Sequence, residues 1–301
     1  MMTIETSRRD FLKTLGLGMA GATMVGWDYG KAFADEKRPN FIFILTDDQR
    51  WDTLGCMGNG VVQSPNIDRL AAQGVLFENC FVTTPVCGPS RACILSGQYA
   101  RRHGVTDIGK LMNPGPWELT YPALLKKHGY SNGYIGKFNV GAADDVALWG
   151  SRYDYWAGWK YHGNYWHERN CPSVTNDGIR EKTKNICTCP PEGEMPRVGH
   201  TGMKDPMHTT TEMVPIKVGQ FLDGRDRNAP FCLAIGMKAP KDPWDDFPPE
   251  LAALYEGVKM PIPVTATPEM AASIPEILRK SLGSDTGLRY VNNHEELATR
   301  I

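Results

Sequence analysis

Short apolar runs alternate along this chain with amphipathic stretches that end in helix stops. Phe41-Ile42-Phe43-Ile44-Leu45 is apolar at successive positions and breaks off at Thr46-Asp47-Asp48, which predicts a strand buried on both faces in the middle of a mostly parallel sheet. Ser64 to Gln73 reads as a helix stopped by Gly74, and Val75 to Thr83 as a strand. Pro89 suits a first helical position, so a helix is expected through Ser90 to Leu95, ended by Gly97. Tyr121 to His128 forms another helix before Gly129, and Tyr134 to Gly141 a strand whose end delivers Lys137. From Trp149 to about Pro206 the pattern becomes loop-like and dense in aromatics: Trp149, Tyr153, Tyr155, Trp156, Trp159, Tyr161, Tyr165 and Trp166. Thr209-Thr210-Thr211-Glu212 then fits a capping box for a helix to about Leu222, and Phe231 to Met237 is a second buried strand. Lys259 to Val264 reads as an extended connector. Strands alternating with helices define an α/β fold, a mostly parallel central sheet sandwiched by helices.

The first 34 residues stand apart. Ser7-Arg8-Arg9-Asp10-Phe11-Leu12-Lys13 precedes a glycine-rich apolar run from Leu15 to Trp27 and Ala32-Phe33-Ala34. This looks like a twin-arginine export signal with a small-x-small cleavage site, and it implies the export machinery as a partner and a periplasmic or extracellular destination. The expected domains are therefore the signal, 1–34, and a catalytic domain, 35–301. Cleavage after Ala34 removes Arg8, Arg9, Lys13 and Lys31 from 33 basic residues, and Glu5, Asp10 and Asp28 from 34 acidic ones, leaving 29 against 31. A net of −2 implies no nucleic-acid partner and no polybasic membrane contact. No later segment is apolar for long enough to cross a bilayer, so no stable membrane insertion is expected. Eight cysteines in an exported chain suggest disulfides, and Cys171, Cys187 and Cys189 share one polar insertion in which a bridge or free thiols are expected rather than a metal.

Candidate chemistry collects at the ends of the strands, where open parallel sheets gather ligand groups. Asp47 and Asp48 follow the first strand directly, and their hard oxygens suit a divalent cation, although adjacent acids met alone are more often a solvated turn. In Thr84-Pro85-Val86-Cys87-Gly88-Pro89-Ser90-Arg91-Ala92-Cys93-Ile94-Leu95-Ser96-Gly97-Gln98, Cys87 sits at the mouth of the expected helix, where orphan N–H groups and the helix dipole favour an anion, with Arg91 one turn further in. Three residues between Cys and Arg rule out the tyrosine-phosphatase loop, which needs five. An isolated cysteine would be a packing residue, but the string as a whole, Cys-x-Pro-Ser-Arg with a short apolar run and Ser-Gly-Gln, resembles the signature of the type I sulfatases of the alkaline-phosphatase-like superfamily. Pro65-Asn66-Ile67-Asp68-Arg69-Leu70 continues the likeness from Asn40 to His103.

The resemblance implies that Cys87 is oxidised to formylglycine by a maturation enzyme and acts as the hydrated aldehyde nucleophile. It further implies that Asp47, Asp48 and residue 87 hold calcium, with magnesium possible, and that Arg91, Lys137 and Lys238 meet the sulfate. The family shows Gly-Lys-Trp-His-x-Gly where this chain has Gly136-Lys137-Phe138-Asn139-Val140-Gly141, so Asn139 replaces a histidine and is assigned to substrate binding. It commonly shows Lys-Ala-Pro-His-x-Pro where this chain has Lys238-Ala239-Pro240-Lys241-Asp242-Pro243, so Lys241 takes the place of the acid. The family's later elements, including an Asp-(Asn/His)-Gly metal motif, have no counterpart before Ile301, so the C-terminal portion of the fold is expected to be missing. Aromatics of the insertion, Trp159 and Trp166 in particular, are assigned to sugar stacking, which favours a sulfated carbohydrate as substrate. A phosphonate or phosphate ester hydrolase of the same superfamily, and a truncated or degenerate module without activity, are the alternatives.

Overall fold

The computed structural model describes residues 38–141, 146–159, 163–168, 205–241, 244, 246–259 and 267–280. Packing divides the chain into Met1–Pro39 and Asn40–Ile301. The expected export signal, Cys171, Cys187, Cys189, Tyr161 and the connector beyond Lys259 lie outside the described residues.

Four parallel strands form the main sheet in the order β1, β6, β2, β3: Phe41–Leu45, Phe231–Gly236, Ser131–Lys137 and Tyr155–Trp159. A two-stranded antiparallel ribbon pairs β4, Trp166–Glu168, with β5, Pro206–His208. The helices used below are α1, Pro65–Gln73, α2, Cys87–Ser96, α3, Tyr121–Lys127, α4, Val146–Gly150, and α5, Val214–Gly224. Side chains alternate across β2 and β6. On one face Tyr134 and Ala234 join Ala92 and Leu95 of α2 with Phe138, Trp149, Tyr153 and Trp156. On the other, Ile135, Leu233 and Ile235 join Val214 and Phe221 of α5. Helices thus cover both faces, as the α/β pattern requires. Gly133 lets α5 close in, since a Cβ there would lie 2.8 Å from the Phe221 ring.

Several expectations are corrected. Among the described residues β1 pairs with β6 alone, and Ile42 and Ile44 are 58% and 57% exposed, so it stands at an edge there rather than buried in the middle. Its apolar run did identify a strand, but which strand occupies the middle is set by pairing, and β6, equally apolar, takes that place with every residue buried. Val75 to Thr83 forms no strand; Val75, Phe77 and Phe81 are exposed in an irregular segment. The aromatic stretch is not simply a loop, because β3 and β4 lie within it and β3 pairs with β2. The capping box is shifted by one residue: His208 caps, its ring nitrogen accepting from the Thr211 N–H, and Glu212 accepts from the His208 N–H at 2.9 Å. Thr209–Met213 is a π turn, and α5 follows with Pro215 in its first turn, where the missing N–H costs nothing.

Candidate active site

The site forms where β1, β2 and β6 end and α2 begins. Val86 is extended, and α2 starts at Cys87, two residues before the position that Pro89 suggested. Cys87 is therefore in the first turn, and Gly97, in the left-handed region at φ +63°, ends the helix as expected. Gly88 is required by contact: a Cβ would stand 2.9 Å from the Asn139 carbonyl oxygen. That closeness lets the Asn139 side chain reach the nucleophile position, where Nδ2 donates to Cys87 Sγ at 2.9 Å. Asn139 itself holds φ +53°, a conformation asparagine tolerates better than most residues. It is buried, and its Oδ1 has no hydrogen-bond partner among the described residues.

Behind Cys87 lies a buried ionic network. Asp47 is anchored by its N–H on the Ala239 carbonyl at 3.1 Å. Its Oδ2 meets Lys137 Nζ in a close ion pair and Arg91 Nη2 at 3.2 Å. Arg91 also donates to the carbonyls of Lys137 at 2.6 Å and Met237 at 3.4 Å, so one guanidinium ties α2 to the ends of β2 and β6. Tyr134 Oη donates to the same Lys137 carbonyl at 2.7 Å. Burial pushes the Asp47 carboxyl up, but the hydrogen bond and charge of Lys137, with those of Arg91, outweigh it and hold the group below the usual carboxylate range. Among the described residues, Arg91 and Lys137 are thus two buried cations set against the Asp47 carboxylate beside the start of a helix.

The other expected residues are distributed differently. Asp48, at φ +58°, turns away from the network and pairs with Lys241, Nζ to Oδ2 at 2.5 Å. Lys238 is buried, donating to the Gly163 carbonyl at 2.9 Å with its ammonium 4.2 Å above the Tyr165 ring. Trp159 stands across from Lys137 in the β2–β3 register and is half-buried against the α5-side core. Trp166 is buried and packs edge-on against His208. The structure thus brings Asp47, Cys87, Arg91, Lys137 and Asn139 together, and sets Asp48 with Lys241 beside them. Sequence reasoning missed Tyr134 and the facing glycines Gly136 and Gly236. A Cβ on Gly136 would be 2.1 Å from the Gly236 oxygen, and one on Gly236 would be 2.7 Å from both Arg91 Nη1 and Tyr134 Oη. The signal was the glycine beside Lys137, which sits at φ +93°.

For a divalent cation the donors are right in kind: the Asp47 and Asp48 carboxylates are hard oxygens. Among the described residues no group of three or more His, Cys, Asp and Glu converges, so they supply part of a shell of about six to eight oxygens.

Residues 39–280 match the family model described as Sulfatase. The chain is 31% identical over 220 residues to an N-acetylglucosamine-6-O-sulfatase of Bacteroides thetaiotaomicron, covering 72% of this chain and 33% of that protein. It is 33% identical over 158 residues to an N-acetylgalactosamine-6-sulfatase of Rattus norvegicus, covering 49% and 28%. A protein solved in complex with its substrate D-glucosamine-2-N,6-O-disulfate superimposes with a TM-score of 0.53 at 27% identity, over 76% of this chain and 40% of that one. The chain thus spans about a third of the length of the first of these curated relatives. The matched span contains the ends of β1 and β2, the start of α2 and the buried network between them, and on that extent of likeness the chain belongs to the sulfatase family.

Proposed function

We propose that the chain carries the nucleophile and the anion-facing cations of a sulfuric ester hydrolase that removes sulfate from a sulfated carbohydrate. The observation that supports this best is the convergence of two buried cations, Arg91 and Lys137, on Asp47 behind Cys87, which lies in the first turn of α2. Such preorganised donors favour an anion whose charge grows during reaction. When formed, an aldehyde at residue 87 supplies, as its hydrate, the attacking oxygen, and calcium held by Asp47, Asp48 and residue 87 supplies positive charge to the same centre. Arg91 orients its fork through the Lys137 and Met237 carbonyls, and Lys137 neutralises Asp47. Asn139 holds the group at residue 87 through Nδ2 and leaves Oδ1 to accept a hydroxyl or amine hydrogen of the substrate. Trp159, half-buried at the end of β3, can border a sugar ring. Lys238 and Lys241 approach from the segment after β6, where one of them would meet the leaving group.

The relatives named for sulfated amino sugars support a glycan substrate of that kind. Conversion of Cys87 by a formylglycine-generating enzyme, followed by folded export through the twin-arginine machinery to the periplasm or beyond, belongs to the same proposal; it is supported by Cys87, Pro89 and Arg91 at the family spacing and by Arg8-Arg9. Among the described residues no helix is long and apolar enough to cross a membrane. Peptide mass spectrometry across Thr84 to Gln98 tests the conversion, and hydrolysis of matched aryl sulfate, aryl phosphonate and 6-O-sulfated glucosamine tests the reaction. Formylglycine with preference for the sulfates is expected. Unmodified thiol from a host that matures other sulfatases, or preference for the phosphonate, would overturn the reading.

A further inference from the structure

The second carboxylate after β1 already has a cation. Lys241 Nζ donates to Asp48 Oδ2 at 2.5 Å. The lysine is set for that reach by its own backbone, whose N–H donates to the Lys238 carbonyl at 3.0 Å and whose carbonyl accepts from Tyr165 Oη at 2.5 Å. The Asp48 side chain remains 58% exposed and that of Lys241 20% exposed. Asp47, one residue earlier, is neutralised by different cations, Lys137 and Arg91, in a fully buried network. The two adjacent carboxylates are thus occupied in different ways: one by cations locked in the core, the other by an ammonium on a flexible four-carbon stem at the surface.

We propose that Lys241 is a tethered cation that competes for Asp48 with a divalent metal ion, and so sets how tightly the site takes that ion. The inference rests on the metal reading above and deepens it. The ligand is a hard cation of the calcium class, because the side chains offered at the end of β1 are the carboxylates of Asp47 and Asp48. For the ion to be ligated by Asp48, the ammonium withdraws toward solvent, and its stem has the rotamer freedom to do so. A partly exposed pair of this kind should weaken cation affinity by about three- to tenfold, and the effect should shrink as salt screens it.

Calcium titration of the chelator-stripped protein, by calorimetry and by thermal shift, tests this with wild type, Lys241→Met, Lys241→Arg and Asp48→Asn. Methionine keeps the length of the stem and removes the charge, so Lys241→Met should bind calcium about three- to tenfold more tightly at low salt. Lys241→Arg should stay close to wild type, and adding Asp48→Asn to Lys241→Met should erase the gain. A second measurement needs no variant: Lys241 should react faster with an amine-acylating reagent when calcium is saturating. Equal calcium affinity in wild type and Lys241→Met, or weaker binding by the variant, would overturn the competition alone. No calcium binding by any of the proteins would overturn it together with the metal reading.

Discussion

Asp47→Asn should be among the most damaging isosteric changes this chain can suffer. The substitution keeps the shape and removes the charge, leaving Arg91 and Lys137, 4% and 0% exposed, facing a neutral amide. At the 3.2 Å separation of Arg91 and Asp47 the attraction is about 5 kcal/mol at an effective dielectric near 20. Much of it merely offsets desolvation in the intact network, but breaking a buried pair from one side leaves the desolvation cost unanswered, typically about 3–5 kcal/mol. That is a large part of the roughly 5–15 kcal/mol that stabilises an ordinary domain. Urea unfolding followed by tryptophan fluorescence, in chelator so that no metal contributes, measures the loss. Adding Lys137→Met should recover part of it, with a coupling of at least about 1.5 kcal/mol between the two sites. The carboxyl of Asp47 lies below its ordinary value, so its contribution is complete above the unfolded pKa and is lost as pH falls through the folded one. Wild type should therefore show a steep acid limb below about pH 4 that Asp47→Asn lacks. A single variant within 1 kcal/mol of wild type, or strictly additive substitutions, would refute the reasoning.

Ile42→Lys and Ile44→Lys lie on the exposed face of β1 and should each change stability by less than about 0.5 kcal/mol. They should also lower self-association measured by light scattering, since charge blunts an apolar edge. Burial pulls the His208 imidazole down to about 4, so the folded form stays neutral while the unfolded chain takes up a proton as pH falls from about 6.5, and roughly 3 kcal/mol should be lost by about pH 4. His208→Asn, which retains a capping side chain, should flatten that slope in pH-dependent thermal melts. Arg91→Lys keeps a charge but loses the fork that reaches Asp47, Lys137 and Met237. In a protein with measurable sulfatase activity it should cost about 10²-fold in kcat or more, and far more than Lys241→Ala in the same assay.

What could be read from the chain beforehand was local. Helix stops at Gly74, Gly97 and Gly129 and a strand from Phe231 are present because each depends on a few neighbouring residues, whereas the strand expected from Tyr134 to Gly141 runs instead from Ser131 to Lys137. The place of β1 at the sheet edge was not legible, because a five-residue apolar run looks the same whether or not a second strand lies alongside. Within the site, the string from Cys87 to Arg91 pointed to the right place, but the direction in which Arg91 reaches did not follow from it. Its partners sit 44, 46 and 146 residues away, at Asp47, Lys137 and Met237, and meet only once the strands pair. Lys238 and Lys241 stand three residues apart in sequence and go to different partners, Gly163 and Asp48, which lie far from them along the chain.

The facing glycines Gly136 and Gly236 also bear on how such a chain can diverge. Each lies where any Cβ would strike a backbone oxygen, and the second also leaves the gap through which Arg91 and Tyr134 reach the Lys137 carbonyl. Every amino acid change that a single base substitution can make in a glycine codon adds at least that Cβ, so neither position has a neutral neighbour in sequence space. A lineage adapting to a new tetrahedral anion is then held to the same floor beneath residue 87. Its adaptive steps are confined to the rim, at positions such as Lys241, where side chains can be exchanged without reopening the packing between strands.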